Sequence, residues 1–454
     1  MSLFLVRERG YILRPWLCRL MWDVKGKLDH RWAAGSYLDF LLASALMLFV
    51  FIVGFGLIFQ FNQIWYVDNL DLVEHIGYVV VAMGWMAAIM LAIGFGLLPF
   101  VHQSAPYDKS ILRLCMALNI AGQVLLIAAV FTLDRETIIA LGTIGVTLLS
   151  LQFIVIAGPA RQLLNDRNRG MDPVAGFSGL MPLAMPVVGV LSLLSWLAVD
   201  IELSRLLFKA ILIDVFLPMV CVGAFLGHFN RRLEWEVTSQ EGARRLFLVM
   251  LFLGLVHVVS VWGTHTDRFS DSRLAYSLPL IYTVAFLGCR PDRIWRNVVA
   301  KRPHSHLILA AHWWIPAAII MSVIEIREGN DPMHGRHIMM LGVGTMALWG
   351  FAHWMHYDHC HIPLDARSAG WPLLIGMSLA TGLYFVDGMD VLGFIDAPDW
   401  GRKATLILAV IGMGYPAIWW FWETFFHHGE WHRIPMFYGN LHEEADPYEL
   451  ASEE

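Results

Sequence analysis

The sequence predicts an all-α polytopic membrane protein, with about twelve transmembrane helices in one bundle and both termini cytoplasmic. Three observations predict it. Charged residues make up only 15 % of the 454 residues, whereas a soluble domain carries about 25 %. Hydrophobic residues reach 57 % and the mean hydropathy is +0.57. The apolar residues also gather in runs of roughly 20, the length that crosses about 30 Å of hydrocarbon. A chain this long folded in water would split into domains that each need a charged surface, and the residues to build one are missing. The net charge of −6, with no dense basic stripe, argues against nucleic acid as a partner.

Taken in order, residues 1–36 alternate apolar groups (Leu3, Phe4, Trp16, Leu20, Trp22) with Arg7, Arg9, Arg14 and Arg19. That pattern fits an amphipathic segment lying on the cytoplasmic face of the bilayer. It lacks the long apolar stretch and small-residue cleavage site of a secretory signal. The transmembrane domain is expected over 37–426. Its spans lie near 37–60, 74–100, 111–132, 137–159, 180–198, 206–228, 244–263, 274–289, 306–326, 335–356, 371–395 and 404–426. The eighth is short and the fifth is broken by Pro182 and Pro186, which a bundle tolerates where neighbours recover the freed backbone groups. Most of the 32 Lys and Arg residues fall on the side that this count assigns to the cytoplasm, in keeping with the positive-inside rule. Asp68, Asp71, Glu74, Asp134, Glu136, Asp200, Glu202, Asp396 and Asp399 fall on the other. The stretch 427–454 reads as a cytoplasmic tail containing histidines and many acidic residues.

Five cysteines without a CxxC pair suggest neither disulfides nor a thiolate zinc site. The chemistry is expected in the 19 histidines, because ionisable groups inside a bilayer are expensive and imidazole is the commonest metal ligand. On the predicted topology they form two layers. The outer layer has His75 opening span two, His257 and His265 ending span seven, and His334 and His337 entering span ten. His334 and His337 share a helical face. Asp214, Lys209 and Arg205 lie at similar depth, and Asp214 and Glu74 are candidates for passing protons. The alternative is that interfacial histidines simply bond to loops and water.

The inner layer holds His353, His356, His359 and His361 at the end of span ten. Glu423, His427, His428 and His432 stand at the end of span twelve. Nitrogen and carboxylate donors at this density suit iron, copper or zinc. The competing reading is a belt of aromatic and His residues at the headgroups. The layers are separate: His337 and His353 are sixteen residues apart, roughly 24 Å of helix. Glycine pairs within spans, such as Gly342 and Gly344, read as close helix contacts.

The layout resembles the NnrS family, twelve-span haem- and copper-containing membrane proteins associated with nitric oxide metabolism. The likeness rests on Tyr37-Leu38-Asp39-Phe40 opening span one and on Glu74-His75 followed by Gly94-Phe95-Gly96-Leu97-Leu98-Pro99. It also rests on the 159–168 loop (Pro159-Ala160-Arg161-Gln162) and on His337 followed by Gly342-Val343-Gly344-Thr345-Met346. The resemblance implies haem b and copper as cofactors and matches His75 and His334 or His337 to the family's metal positions; read with the outer layer, His75, His257, His334 and His337 are the candidate ligands. It further implies nitric oxide or a related small redox ligand as partner, and location in the inner (cytoplasmic) membrane of a bacterium. The arrangement is also similar, more loosely, to haem–copper oxidase and nitric oxide reductase catalytic subunits, whose ligands sit on spans two, six, seven and ten.

Two other functions are open. One is a membrane-bound non-haem iron oxygenase using the inner clusters. The other is a non-catalytic transporter, or a membrane anchor within a larger redox complex or homo-oligomer.

Overall fold

The computed structural model describes residues 70–86, 109–132, 134–164, 201–226, 238–266, 268, 275–296, 303–350, 366–396 and 400–425. Among these residues the structure is helical and contains no strand. The helices are α1 (Leu70–Val79), α2 (Lys109–Val130), α3 (Arg135–Leu164), α4 (Ile201–Lys209), α5 (Leu217–Leu226) and α6 (Gln240–His265). They continue with α7 (Ser277–Gly288), α8 (Pro291–Arg296), α9 (Pro303–Arg327), α10 (Met333–Ile338), α11 (Ala366–Val391) and α12 (Gly401–Phe425). Three seven-residue π-helical segments extend them. π1 (Val80–Met86) continues α1, π2 (Ala210–Phe216) joins α4 to α5, and π3 (Met339–Thr345) continues α10.

Among the described residues six stretches are long and apolar enough to cross a membrane: Arg113–Val130, Arg135–Val155, Arg205–Leu226, Glu241–His265, His306–Arg327 and Gly370–Val391. They fall on the expected spans 111–132, 137–159, 206–228, 244–263, 306–326 and 371–395. Shorter apolar helices, His75–Met86 and Ser277–Gly288, fall on 74–100 and 274–289. Helical structure also runs through 333–350 and 401–425. The expected spans at 37–60 and 180–198, the segment 1–36 and the tail 427–454 lie outside the described residues.

The reason for the polytopic arrangement is visible on α6. Leu248, Phe252, Leu255 and Val259 are exposed, while His257 and Ser260 are buried together with Phe247 and Met250. Large apolar groups face outward and polar ones face the bundle, the reverse of a helix stabilised in water. Side chains mark some helix starts. Asp134 caps α3 by accepting from the Thr137 N–H (2.9 Å) and hydroxyl (2.6 Å), which hold its carboxyl below the usual range. Ser239 caps α6 by accepting from the Gly242 N–H at 3.1 Å.

Apolar attraction between helices is weak in lipid, so small residues that let backbones touch set the contacts. Gly376 on α11 faces Gly412 on α12, and a Cβ on Gly376 would lie 2.8 Å from the Gly412 Cα. Gly122 and Gly145 join α2 to α3 in the same way, each Cβ position 2.9 Å from the other residue's carbonyl oxygen. The glycines in span ten are also close contacts. Gly342 faces Thr381 and Trp314, and Gly344 faces Leu217 and Met86.

That last contact brings the π-segments together. Gly344 belongs to π3, Leu217 follows π2 and Met86 ends π1. π-geometry is rare, usually appears as single-turn bulges, and concentrates at functional sites. Its carbonyls need partners that a regular ladder would supply. For π1 these are buried amides on α2 and α3. Asn119 Nδ2 donates to the Gly84 carbonyl (2.9 Å) and to Gln152 Oε1 (3.1 Å). Gln152 Nε2 donates to the Met83 carbonyl (3.4 Å), and Gln123 Nε2 donates to Asn119 Oδ1 (2.6 Å). For π3, the Thr345 hydroxyl donates to the Met340 carbonyl at 2.9 Å.

A branched side chain at the α11–α12 crossing must force the backbones apart. Gly376→Val is therefore expected to lower thermal stability in detergent by the equivalent of about 1–3 kcal/mol. Gly401→Ala, where a Cβ meets nothing within 4 Å, should stay close to wild type.

Candidate functional site

Of the expected outer-layer histidines, His334 and His337 lie on the turn where α9 ends and α10 begins. His257 meets the same Asp214 that Arg336 of this turn binds, and His75 packs on Phe208 of α4. The turn between α9 and α10 sets Arg336 against Asp214 of π2, His334 against Glu325 of α9 and Asp387 of α11, and His337 beside Tyr78 of α1.

Arg336 is the centre of the first cluster. It is 4 % exposed, beside Asp214, which is 0 % exposed. The guanidinium Nε donates to Asp214 Oδ1 (2.9 Å) and Oδ2 (3.1 Å), and Nη2 donates to Oδ2 (2.9 Å). Nη1 reaches Asp331 Oδ1 on the exposed side of the turn at 2.6 Å. Fork geometry of this kind suits Arg and carboxylate better than any Lys pair. His257 on α6 adds a second buried partner, with Nε2 2.9 Å from Asp214 Oδ2 and Nδ1 2.8 Å from Ser277 Oγ on α7. A carboxylate only accepts, so Nε2 carries hydrogen; in the neutral ring Nδ1 accepts from the Ser277 hydroxyl. Both ring nitrogens of His257 are therefore committed to protein groups.

The second cluster surrounds Glu325 at the end of α9. Its Oε1 accepts from the His334 N–H and from His334 Nδ1, each at 2.8 Å, and Oε2 accepts from the Gly335 N–H at 3.0 Å. The carboxylate thus anchors the start of α10. The other His334 nitrogen lies 3.9 Å from Asp387 Oδ2 on α11. Gly388 keeps that approach open, because a Cβ there would come within 3.0 Å of His334 Cγ and 2.5 Å of Met321 Cε.

His337 differs from both. Nδ1 is 2.7 Å from the Met333 carbonyl, which can only accept, so Nδ1 carries hydrogen and the neutral ring leaves a lone pair on Nε2. Its ring packs beside Tyr78 on α1 (5.7 Å between centroids) and Tyr384 on α11 (5.1 Å). His334 packs against the same Tyr384 at 5.1 Å. The Lys209 ammonium sits 4.4 Å over the Tyr78 ring and acts electrostatically on both His337 and His75. His75 is buried one turn from Tyr78 and lies edge-on to Phe208 at 5.8 Å.

Of the residues singled out in the sequence, Asp214 and His257 come together directly. His334 and His337 share one turn, and His75 packs on Phe208, the neighbour in sequence of Lys209. Among the described residues no three His, Cys, Asp or Glu side chains gather in a form that could hold a metal ion. His353, His356, His359, His361, His427, His428 and His432 lie outside the described residues, as do the side chains of Glu74 and Glu423. A search for histidines alone overlooks Arg336, Glu325, Asp387 and Ser277, the groups that hold the imidazoles. The signal was available, since ionisable residues within a span are functional by default.

No protein-family model matches this sequence, and no curated protein matches it.

Removing one partner of a buried ion pair strands the other in low dielectric. Arg336→Leu is expected to destabilise the protein by about 3–5 kcal/mol, read as unfolding in mixed micelles. The double variant Asp214→Leu/Arg336→Leu should recover much of that loss. If the double variant is as unstable as the sum of the two single ones, the two residues are not coupled.

Proposed function

We propose that this chain is a haem- and/or copper-binding integral membrane protein that handles nitric oxide or a related small redox ligand. In this reading it has about twelve spans, cytoplasmic termini and a place in a bacterial inner membrane. The single observation that carries the proposal is the bond from His337 Nδ1 to the Met333 carbonyl. A metal-ligating imidazole almost always donates its other N–H to a carbonyl or carboxylate, which sets ring orientation and raises ligand basicity. His337 is held in that manner, between two tyrosines and at the mouth of a π-segment. The resemblance to the NnrS family supports the same choice.

One imidazole with an open Nε2 suits a haem b, whose iron needs few protein ligands, better than a metal that needs several at this end of the bundle. His337 would hold the haem, with His75 as the second candidate. Lys209 and Arg205, on the neighbouring helix, offer cations to the carboxylates that haem carries. Bound haem would supply one-electron redox chemistry and a coordination position for a small diatomic ligand. His257 and His334, whose nitrogens face carboxylates and a hydroxyl, are assigned to support. Together with Asp214, Arg336 and Glu325 they hold the α10 turn in the orientation that aims His337. Asp214 serves there as an anchor, and Glu74, next to His75, remains the candidate for moving protons.

Copper or non-haem iron needs several ligands. We place any such centre at His353, His356, His359 and His361 with Glu423, His427, His428 and His432. A membrane-anchor role within a larger complex is compatible with the same bundle.

The test is an absorption spectrum and metal analysis of the purified full-length protein. A reducible b-type spectrum is expected, with His337→Ala losing most of the haem and His257→Ala retaining it in whatever fraction folds. Colourless protein holding two irons would move the reading to the oxygenase. Protein with neither would leave the transporter or anchor.

A further inference from the structure

Three side chains from three helical segments form one hydrogen-bonded row. Asp214 lies on π2, His257 on α6, and Ser277 opens α7. The Asp214 carboxylate accepts from His257 Nε2 at 2.9 Å, and the Ser277 hydroxyl donates to His257 Nδ1 at 2.8 Å. The carboxylate fixes the tautomer and leaves Nδ1 as the base. A serine whose proton faces an imidazole, itself held at its far nitrogen by a carboxylate, is the arrangement that turns a hydroxyl into a nucleophile. Nδ1 rather than Nε2 takes the serine here, and either nitrogen of the ring can accept the proton.

The place of Ser277 adds to this. It is the first residue of a 12-residue helix, whose positive dipole end favours the negative charge that develops during attack. Ser277 is 7 % exposed, whereas Tyr276 before it is 38 % exposed and Leu280, one turn on, is 47 % exposed. The serine therefore stands at the border between the buried row and an apolar stripe that faces outward. Arg336 grips Asp214 independently of His257, which keeps the carboxylate ionised and aimed. The same guanidinium offsets part of the carboxylate's pull on a protonated His257, so turnover is slow and covalent capture is the sensitive readout.

We propose that Ser277, His257 and Asp214 form a hydrolytic centre acting on esters of apolar acyl chains. Ser277 is the nucleophile and His257 the general base, and Asp214 is a positioning residue. The Oγ bonds to the ester carbonyl carbon while its proton passes to His257 Nδ1. The ester C–O bond then breaks, and the alcohol leaves with that proton. Water attacks the acyl-serine and gives a proton to Nδ1, and the carboxylic acid departs as Ser277 recovers its hydrogen. An acyl chain suits the exposed apolar flank at Tyr276 and Leu280. The centre uses neither His337 nor a metal, so it and the haem reading can fail independently.

Purified full-length protein in mixed micelles is treated with an alkyl fluorophosphonate, where attack by Oγ forms an O–P bond and expels fluoride. The expected result is an adduct on Ser277, located by mass spectrometry and lost when the protein is heat-unfolded before treatment. His257→Ala should slow its formation by about 10²–10⁴-fold. Asp214→Asn should slow it as well, because an amide that donates to Nε2 leaves the hydrogen on Nδ1. With p-nitrophenyl decanoate, the wild type should release a burst of about one equivalent of nitrophenol that Ser277→Ala lacks. No adduct on Ser277 in the wild type, or one that survives prior unfolding, would overturn the proposal. So would an unchanged rate in folded His257→Ala, or the same burst in Ser277→Ala. If the variants do not fold, the site and heat sensitivity of the wild-type adduct decide alone.

Discussion

A guanidinium almost wholly removed from water is tolerable only when its charge and its donors are matched by groups already in place. Arg336 meets that condition through Asp214 and Asp331, with three of its nitrogens committed. The demand propagates. Asp214 must be held at the right depth, which π2 and its contacts with α6 provide. His257 must turn one nitrogen to the same carboxylate, and Ser277 takes the other. The residues flanking Arg336 inherit this fixed frame. His334 is held to Glu325 on one side, and His337 projects toward Tyr78 and Tyr384 on the other. A site whose supporting groups are locked in this way keeps its geometry without help from the ligand.

The π-segments are the second constraint. Each extra residue per turn rotates the next stretch of helix, so the side chains beyond π1, π2 and π3 face directions that an unbroken α-helix would not give them. Meeting at Gly344, Leu217 and Met86, the three segments support one another. The Asn119, Gln123 and Gln152 amides tie π1 to α2 and α3. Polar side chains inside a bilayer are costly, and here they satisfy backbone that has departed from the regular ladder.

Much of the fold was legible in the sequence because hydropathy responds directly to the solvent around a helix. The six long apolar helices fall where the apolar runs are, and the span-ten glycines are the close contacts that their small size suggests. The π-geometry was not legible, since Val80–Met86, Ala210–Phe216 and Met339–Thr345 have the same apolar composition as the α-helical turns around them. For the site, counting histidines picked out His257, His334 and His337 but treated them and His75 as equivalent. Their roles depend on what faces each nitrogen, and those partners come from distant positions: Asp214 is 122 residues from Arg336. Charge within apolar runs, had it been weighed like histidine, points to Glu325, Arg336 and Asp387.

In the proposed haem site, His337 is left with a lone pair on Nε2 because its Nδ1 carries the hydrogen given to the Met333 carbonyl. A cryo-electron-microscopy map of the haem-supplemented, full-length protein in lipid nanodiscs tests this most directly. The predicted result is iron-centred density bonded to His337 Nε2, with Arg336 and His257 both still seated on the Asp214 carboxylate. A map with no haem in that preparation, or with Nε2 hydrogen-bonded to a protein group, would contradict it.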